Sequence, residues 1–319
     1  MLIRFGHFNI KDLTIAKLRN PEQPQAMAAA RIIRELRPDV LSINEMESNG
    51  NAPDLFADNF LQKGGDGIVY PYRYAGQTNS GIPTGYDHPF DYRGFGLFEG
   101  QYGIALFSRF PIDYGGIKNL KDFPWKGFSS FSSSGSYLGN RAVFVPEGFP
   151  LFSTAFLSVP VRAGERTIHV VLLHATIPLR GWLNKERNAD QIKFMDDYIS
   201  RRPLPGAEPL PPGPFVAMGD FNSDFFKGEG VKLSILNLLV NRDVRFRDGI
   251  GDTFLEGGGR EKPVLRKKGL LSLRLDYILP SRDFRVLKAG IYKPEDEDGF
   301  LVARTASDHF FIYVDCEME

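Results

Sequence analysis

Apolar positions along the chain fall into short continuous runs separated by stretches with helical spacing, an alternation that predicts a layered fold of sheets and helices. Residues 2–10 read as a strand that ends at Asn9. Residues 26–36 follow with Ala29, Ile32, Ile33 and Leu36 at i, i+3, i+4 and i+7, the period of one helix face. Pro38 stops that helix, because proline lacks an amide hydrogen and restricts the residue before it. Residues 40–43 then form a short buried-type strand leading into Glu45. β-Branched and aromatic enrichment predicts further strands at 104–107, 151–159, 168–174, 215–218, 273–279, 284–291 and 309–314, enough for two sheets. A second helix is expected over 184–199, with Ile192, Met195 and Ile199 on one stripe. The proline-dense residues 203–214, the serine-rich residues 129–136 and the glycines at 257–259 read as loops. Strand and helix patterns resume after each without a change in composition, so a single domain over 1–319 is expected.

Composition narrows the function classes. The 319 residues carry 39 Lys+Arg against 39 Asp+Glu, a formal net charge of zero. Bulk attraction to nucleic acid or anionic membrane needs a basic excess, so an anionic ligand must be held locally. The one cysteine, Cys316, excludes an internal disulfide framework and a Cys-rich zinc or iron–sulfur site. Apolar runs fall far short of the ~20 residues that span a bilayer, so no membrane span is expected. The first residues show no basic stretch followed by an apolar segment and cleavage site. No export signal is therefore read in the chain as it stands, which leaves the compartment undetermined: the cytoplasm is the default expectation and export the alternative if a leader has been removed.

Metal-capable polar residues stand just after or before the apolar runs: Asn9, Glu45, His174, Asp220 with Asn222, and Asp308 with His309. Strand ends are where sheets present functional side chains. Asp276 differs, lying inside the expected strand 273–279, where a carboxylate needs a buried partner such as Arg274. Glu45, Asp220, Asn222 and Asp308 offer oxygen only. Such a set suits one or two Mg²⁺ or Mn²⁺ ions, and hard cations of this kind serve phosphoryl chemistry.

In order, Phe8-Asn9-Ile10, Leu41-Ser42-Ile43-Asn44-Glu45, His174, Gly219-Asp220-Phe221-Asn222, Arg274-Leu275-Asp276-Tyr277-Ile278 and Ser307-Asp308-His309 resemble the motifs of the endonuclease/exonuclease/phosphatase superfamily. The resemblance spans nearly the whole chain and implies an α/β fold, a four-layer αββα sandwich of two mixed β-sheets flanked by helices. It implies Glu45 as principal metal ligand with Asp308 beside it and Asn9 ordering the site. Asp220 and Asn222 would position the attacking water and hold a second metal. His309 would contact phosphate under the orientation of Asp276, and His174 would stabilise charge on the opposite oxygen. Asn44 stands where many members have Gln, and Lys11 where apurinic endonucleases have Asp. A narrower resemblance, through Tyr70-Pro71-Tyr72, Asn79-Ser80-Gly81, Gly94-Phe95-Gly96, Gly100-Gln101-Tyr102-Gly103 and Arg187-Asn188, points to a bacterial branch of that superfamily. In that branch a Lys and a His occur near the positions of Thr154 and Phe156, and another His stands at the position of Ala189.

The expectation is therefore a metal-dependent phosphoesterase acting on a phosphate-ester substrate. A nuclease is its alternative within the class, and an inactive binding or scaffold protein on the same fold the alternative outside it. Tyr102, Asn79, Arg187, Lys267 and Lys268 are candidate substrate contacts. The basic run from Arg260 to Arg274, opposed only by Glu261, is the candidate nucleic-acid contact.

Overall fold

The computed structural model describes residues 1–318 apart from 135, 139–140, 180, 247–249 and 256–271. Two mixed sheets dominate it. The six-stranded sheet runs in the order Phe284–Ile291, Ile312–Met318, Leu2–Leu13, Val40–Met46, Gly103–Ser108, Tyr72–Gly76. The five-stranded sheet runs Asp276–Pro280, Phe215–Asp220, Arg166–His174, Phe156–Ala163, Lys118–Asn119. Each sheet contains one parallel pair, Leu2–Leu13 with Val40–Met46 in the first and Arg166–His174 with Phe215–Asp220 in the second. Parallel partners end at the same edge. Asn9 is thus level with Asn44, and His174 with Asp220.

Strands buried on both faces explain the continuous apolar runs. Val170, Leu172, Val216 and Met218 point between the sheets, where they pack with Ile3, Phe5, Val40, Ile104 and Leu106 of the other sheet. Their neighbours Val171, Leu173 and Ala217 point outward. There they meet Ile192, Phe194 and Met195 of helix Trp182–Ile199, and Ile235 and Leu238 of helix Lys232–Leu239. On the other outer face, Ala26, Ala29, Ala30, Ile32 and Ile33 of helix Pro24–Leu36 cover Phe8, Leu41, Ile43 and Phe107. Helix Glu297–Ala306 packs beside them. The layers are α, β, β, α, as the motifs implied.

Local boundaries differ from the periodicity for identifiable reasons. The strand expected over 151–159 begins at Phe156, because the Leu151 carbonyl is taken by the Arg187 and Gln191 side chains rather than by a neighbouring strand. The strand expected at 309 begins at Ile312, since His309 and Phe310 donate their amides to Ser307 and Thr253. Asp276 opens its strand instead of lying within it. Ser130–Ser134 is a short helix rather than a loop, with Ser129 and Ser132 exchanging side-chain and amide bonds at its start. Helix Glu297–Ala306, unread in the apolar pattern, carries its signals in polar residues: Asp296 caps the Gly299 amide, Glu297 and Asp298 occupy the first turn, and Arg304 the last. Residues 257–259 lie outside the described residues.

Candidate active site

Both parallel pairs deliver their polar ends to one edge of the sandwich, and a bulge shapes the meeting point. Pairing between Leu2–Leu13 and Val40–Met46 is regular to Asn9 and Asn44, then shifts register. Val40–Met46 shifts against Gly103–Ser108 at the same place. Glu45 occupies the shift with φ 67°, and Asp12 follows on the neighbouring strand with φ 50°. The Asp12 amide donates to Glu45 Oε2 at 3.0 Å, which holds the carboxylate in its re-aimed position. Tyr102 and Asn222 also have left-handed backbones, at φ 57° and 49°. Four of the six described non-glycine residues with positive φ therefore border this edge. Such conformations cost roughly 1–3 kcal/mol each and persist only where the surroundings over-determine them.

Asn9 joins the two sheets. Its Nδ2 donates to Glu45 Oε1 at 3.2 Å and to Asp220 Oδ2 at 3.0 Å. Asn222 holds Asp220 from the other side, with its amide 2.8 Å from Oδ1 and its Nδ2 3.3 Å from Oδ2. The Asn222 side chain also donates to the Ala175 carbonyl at 3.0 Å, tying the loops after the parallel pair together. His174 Nε2 and His309 Nε2 each lie 3.8 Å from Asp220 Oδ2. Gly219 makes this approach feasible: a Cβ there would sit 1.9 Å from the Leu173 carbonyl oxygen, and its φ is 150°.

Behind Asp220 lies Asp276, fully buried and bonded on both oxygens. Oδ2 faces His309 Nδ1 at 2.8 Å and accepts from Thr253 Oγ1 at 2.6 Å. Oδ1 faces His7 Nε2 at 3.1 Å, and His7 Nδ1 lies 3.2 Å from Ser42 Oγ. An ionised carboxylate only accepts, so His309 carries its proton on Nδ1 and turns Nε2 toward Asp220. The expected partner Arg274 is elsewhere, its guanidinium over the Phe246 and Tyr277 rings at 4.8 and 5.3 Å. His7 and Thr253 are the residues that sequence reasoning missed. For His7 a signal existed: it precedes Asn9 by two on one strand, so both face the second sheet together with Ile3 and Phe5. Thr253 carries no comparable signal.

Burial and charge set the protonation pattern. Burial alone would raise Asp276, but His309 and His7 beside it hold it well below the usual carboxylate range. Burial opposes a charged His309, yet the charges of Asp276 and Asp220 push it up to about 10. Asp220 is raised to about 6, first by burial and then by the Asp276 charge. Glu45 is raised, chiefly by burial and further by Asp308, against the opposing pull of His309. His174 is lowered by burial despite the neighbouring Asp220, which favours its neutral ring.

Asp308 lies at the rim, its Oδ2 2.8 Å from Lys11 Nζ. Tyr102 stands at the entry to its strand with its ring stacked on Phe95 at 6.1 Å, and its hydroxyl pKa is raised, first by burial and then by the charges of Asp12 and Glu45. Two of the expected substrate contacts are engaged by main chain. Asn79 is buried, and its amide donates to the Lys121 and Phe152 carbonyls at 2.6 and 2.9 Å. The buried Arg187 guanidinium donates to the carbonyls of Leu151, Arg93 and Pro150 at 2.9, 2.7 and 2.8 Å. Main-chain carbonyls consume these donors, so both residues pin loops. Lys267 and Lys268 lie outside the described residues, as does the run from Arg260 up to residue 271. Thr154 supports the site from below, donating 2.7 Å to the His174 carbonyl, while Phe156 packs in the aromatic core against Phe152 and Phe194.

Ligand atoms of Asp220, Asp276 and His309 lie within 4.8 Å of one another, close enough to share a metal ion. Both Asp276 oxygens are, however, already bonded. The oxygens of Glu45, Asp220 and Asp308 likewise accept hydrogen bonds, from Asn9, Asp12, Asn222, Ser307 and Lys11, whereas Asn9 Oδ1 is buried without a partner. Crowded carboxylates and an orphaned amide oxygen fit a hard divalent cation.

No curated protein matches the chain in sequence. Solved structures match it in fold. An endonuclease/exonuclease/phosphatase from Beutenbergia cavernae aligns over 99% of this chain and 72% of its own, with 18% identity and a TM-score of 0.57. A family protein from Leptotrichia buccalis aligns over 99% of both chains, with 15% identity and a TM-score of 0.56. D. rerio TDP2, complexed with a single strand DNA product, aligns over 99% of both at 12% identity and a TM-score of 0.56. The sequence profile described as Endonuclease/Exonuclease/phosphatase family matches residues 19–309, a span that includes Glu45, His174, Asp220, Asp276 and His309, and the chain accordingly belongs to that family.

Proposed function

We propose that this protein is a divalent-cation-dependent phosphoesterase, hydrolysing a phosphomonoester or phosphodiester by in-line attack of water. The observation that carries the reading is the convergence of Glu45, Asp220, His174 and His309 on one buried polar edge, with Asp276 behind His309. Glu45, Asp308 and Asn9, with Asp220 and Asn222, would hold one or two Mg²⁺ or Mn²⁺ ions. Such an ion, when bound, offsets charge on a phosphoryl oxygen and lowers the pKa of a coordinated water. Asp220 is positioned as proton acceptor for the attacking water. A carboxyl raised to about 6 is still largely ionised at neutral pH and is a stronger base than an ordinary carboxylate. Asn222 fixes its orientation through two hydrogen bonds. His309, kept protonated by Asp276, would donate from Nε2 to a phosphate oxygen, and His174 would donate from the facing side of Asp220. No protein nucleophile is required.

Replacing Glu45 by Gln or Asp220 by Asn should lower turnover of bis(p-nitrophenyl) phosphate by about 10²–10⁴-fold with the fold retained. Unchanged turnover in either variant would sink the proposal.

A nuclease is the second reading, supported by the structural likeness to a TDP2 complexed with a single strand DNA product and by the basic run that begins at Arg260, of which Arg274 itself is buried against aromatic rings. Reversing the charges of Arg266, Lys267 and Lys268 should abolish plasmid nicking while sparing small-ester turnover if this reading holds. Parallel loss or parallel retention of both activities would oppose it. The scaffold alternative is motivated by Thr154, Phe156 and Ala189 and opposed by the presence of Glu45, Asp220 and Asp308.

A further inference from the structure

Lys11 brings an ammonium to Asp308, at the rim of the proposed cation site. Its main chain is fixed, the carbonyl accepting from Gln25 Nε2 at 2.6 Å, so only its side chain is free to move. Nζ lies 2.8 Å from Asp308 Oδ2, and the side chains are 58% and 14% exposed. The Asp308 hydrogen bond and the Glu45 charge both favour the charged ammonium. Asp308 and Glu45 are also the carboxylates to which the proposed function assigns a divalent cation.

We propose that Lys11 is a tethered monovalent competitor, holding Asp308 in the metal-free protein and displaced from it when a divalent cation binds, so that this residue sets the metal affinity of the site. An ammonium at contact distance neutralises Asp308, and an incoming dication must break that contact and then tolerate a neighbouring positive charge. The flexible stem and exposed position let the displaced ammonium return to water without leaving a buried charge. The contact therefore tunes affinity without blocking the site. Because the pair is partly solvated, its effect is modest, roughly tenfold in affinity.

This reading of Lys11 rests on the assignment of the cation to Glu45 and Asp308, and the test separates the two. Mn²⁺ is titrated calorimetrically into the full chain, into Lys11→Met, into Lys11→Gln as a second neutral variant, and into Glu45→Gln. Both Lys11 variants should bind Mn²⁺ roughly tenfold more tightly than the unaltered chain, with matching thermal melts showing intact folding. Equal or weaker binding by both, with Glu45→Gln still abolishing the heat, overturns the role of Lys11 alone. Binding that survives Glu45→Gln, or absent binding in every form, overturns the cation assignment and the inference with it.

Discussion

Asp276 has no solvent to stabilise its charge, and its ionisation depends on His7, His309 and Thr253. Breaking such a buried pair from one side leaves the other charge uncompensated, at about 3–5 kcal/mol. Asp276→Asn should therefore lose about 3 kcal/mol of stability in urea unfolding. It should also release the His309 proton toward neutral pH, which NMR titration of the ring would register. The pH dependence has a definite sign. Folded His309 holds its proton up to about 10, whereas an unfolded histidine releases it near 6.5. The contribution of the charged ring is fully present below about 6.5 and is lost as pH rises through about 10. The melting-temperature advantage of the unaltered chain over His309→Gln should narrow across that window, and a constant gap would contradict the charged pair. On the acid side, Asp276 is depressed, so its share is present above its ordinary value and disappears as pH falls through the lower folded value.

At the scale of elements, two parallel strand pairs do the positioning, and the loops around them are held by side chains that bind main chain. Arg187 fastens the carbonyls of Arg93, Pro150 and Leu151, with its guanidinium 4.9 Å from the Phe149 ring centroid. Burial lowers its pKa to about 9, a sign that no carboxylate compensates it. Arg187→Met would remove the Arg187 bonds to the Arg93 and Pro150 carbonyls, each loss at about 1–3 kcal/mol, while Leu151 keeps its bond from Gln191. The expected result is a stability loss of about 2–4 kcal/mol with KM for a small phosphoester changed less than about threefold. A large rise in KM at unchanged stability would return Arg187 to the substrate-contact role its position in the motif suggested.

Across the whole molecule, zero net charge conceals a local imbalance. Glu45, Asp220, Asp276 and Asp308 gather at one edge against Lys11 and His309, and burial has already raised Glu45 and Asp220. A divalent cation bound only by the folded state would relieve this crowding. At a hundredfold excess over Kd it should stabilise by about 2.7 kcal/mol, or about 4 °C in Tm for a chain of this length. Thermal melts with Mn²⁺ should show the rise, EDTA should reverse it, and Glu45→Gln should not show it. A Tm insensitive to Mn²⁺ and Mg²⁺ would contradict the cation site.

What the sequence alone determined is local. Apolar runs such as residues 168–173 are buried on both faces, so they announce inner strands of a layered fold, and the polar residues that end them marked Asn9, Glu45, His174, Asp220 and Asn222 as candidates. The period of two also placed His7 beside Asn9, a clue legible only once the strand's inner face was known to meet a second sheet. Tertiary structure alone decided the rest. Asp276 finds His7 269 residues away and Thr253 23 residues away, contacts set by how one sheet packs on the other. The left-handed backbone at Glu45 comes from register shifts on both neighbouring strands. Whether Arg187 faces a substrate or a carbonyl, and whether Lys11 stands free or on Asp308, depends on which loops arrive beside them. Periodicity specifies which face a side chain occupies; the partner it meets there is supplied by chain that is distant in sequence.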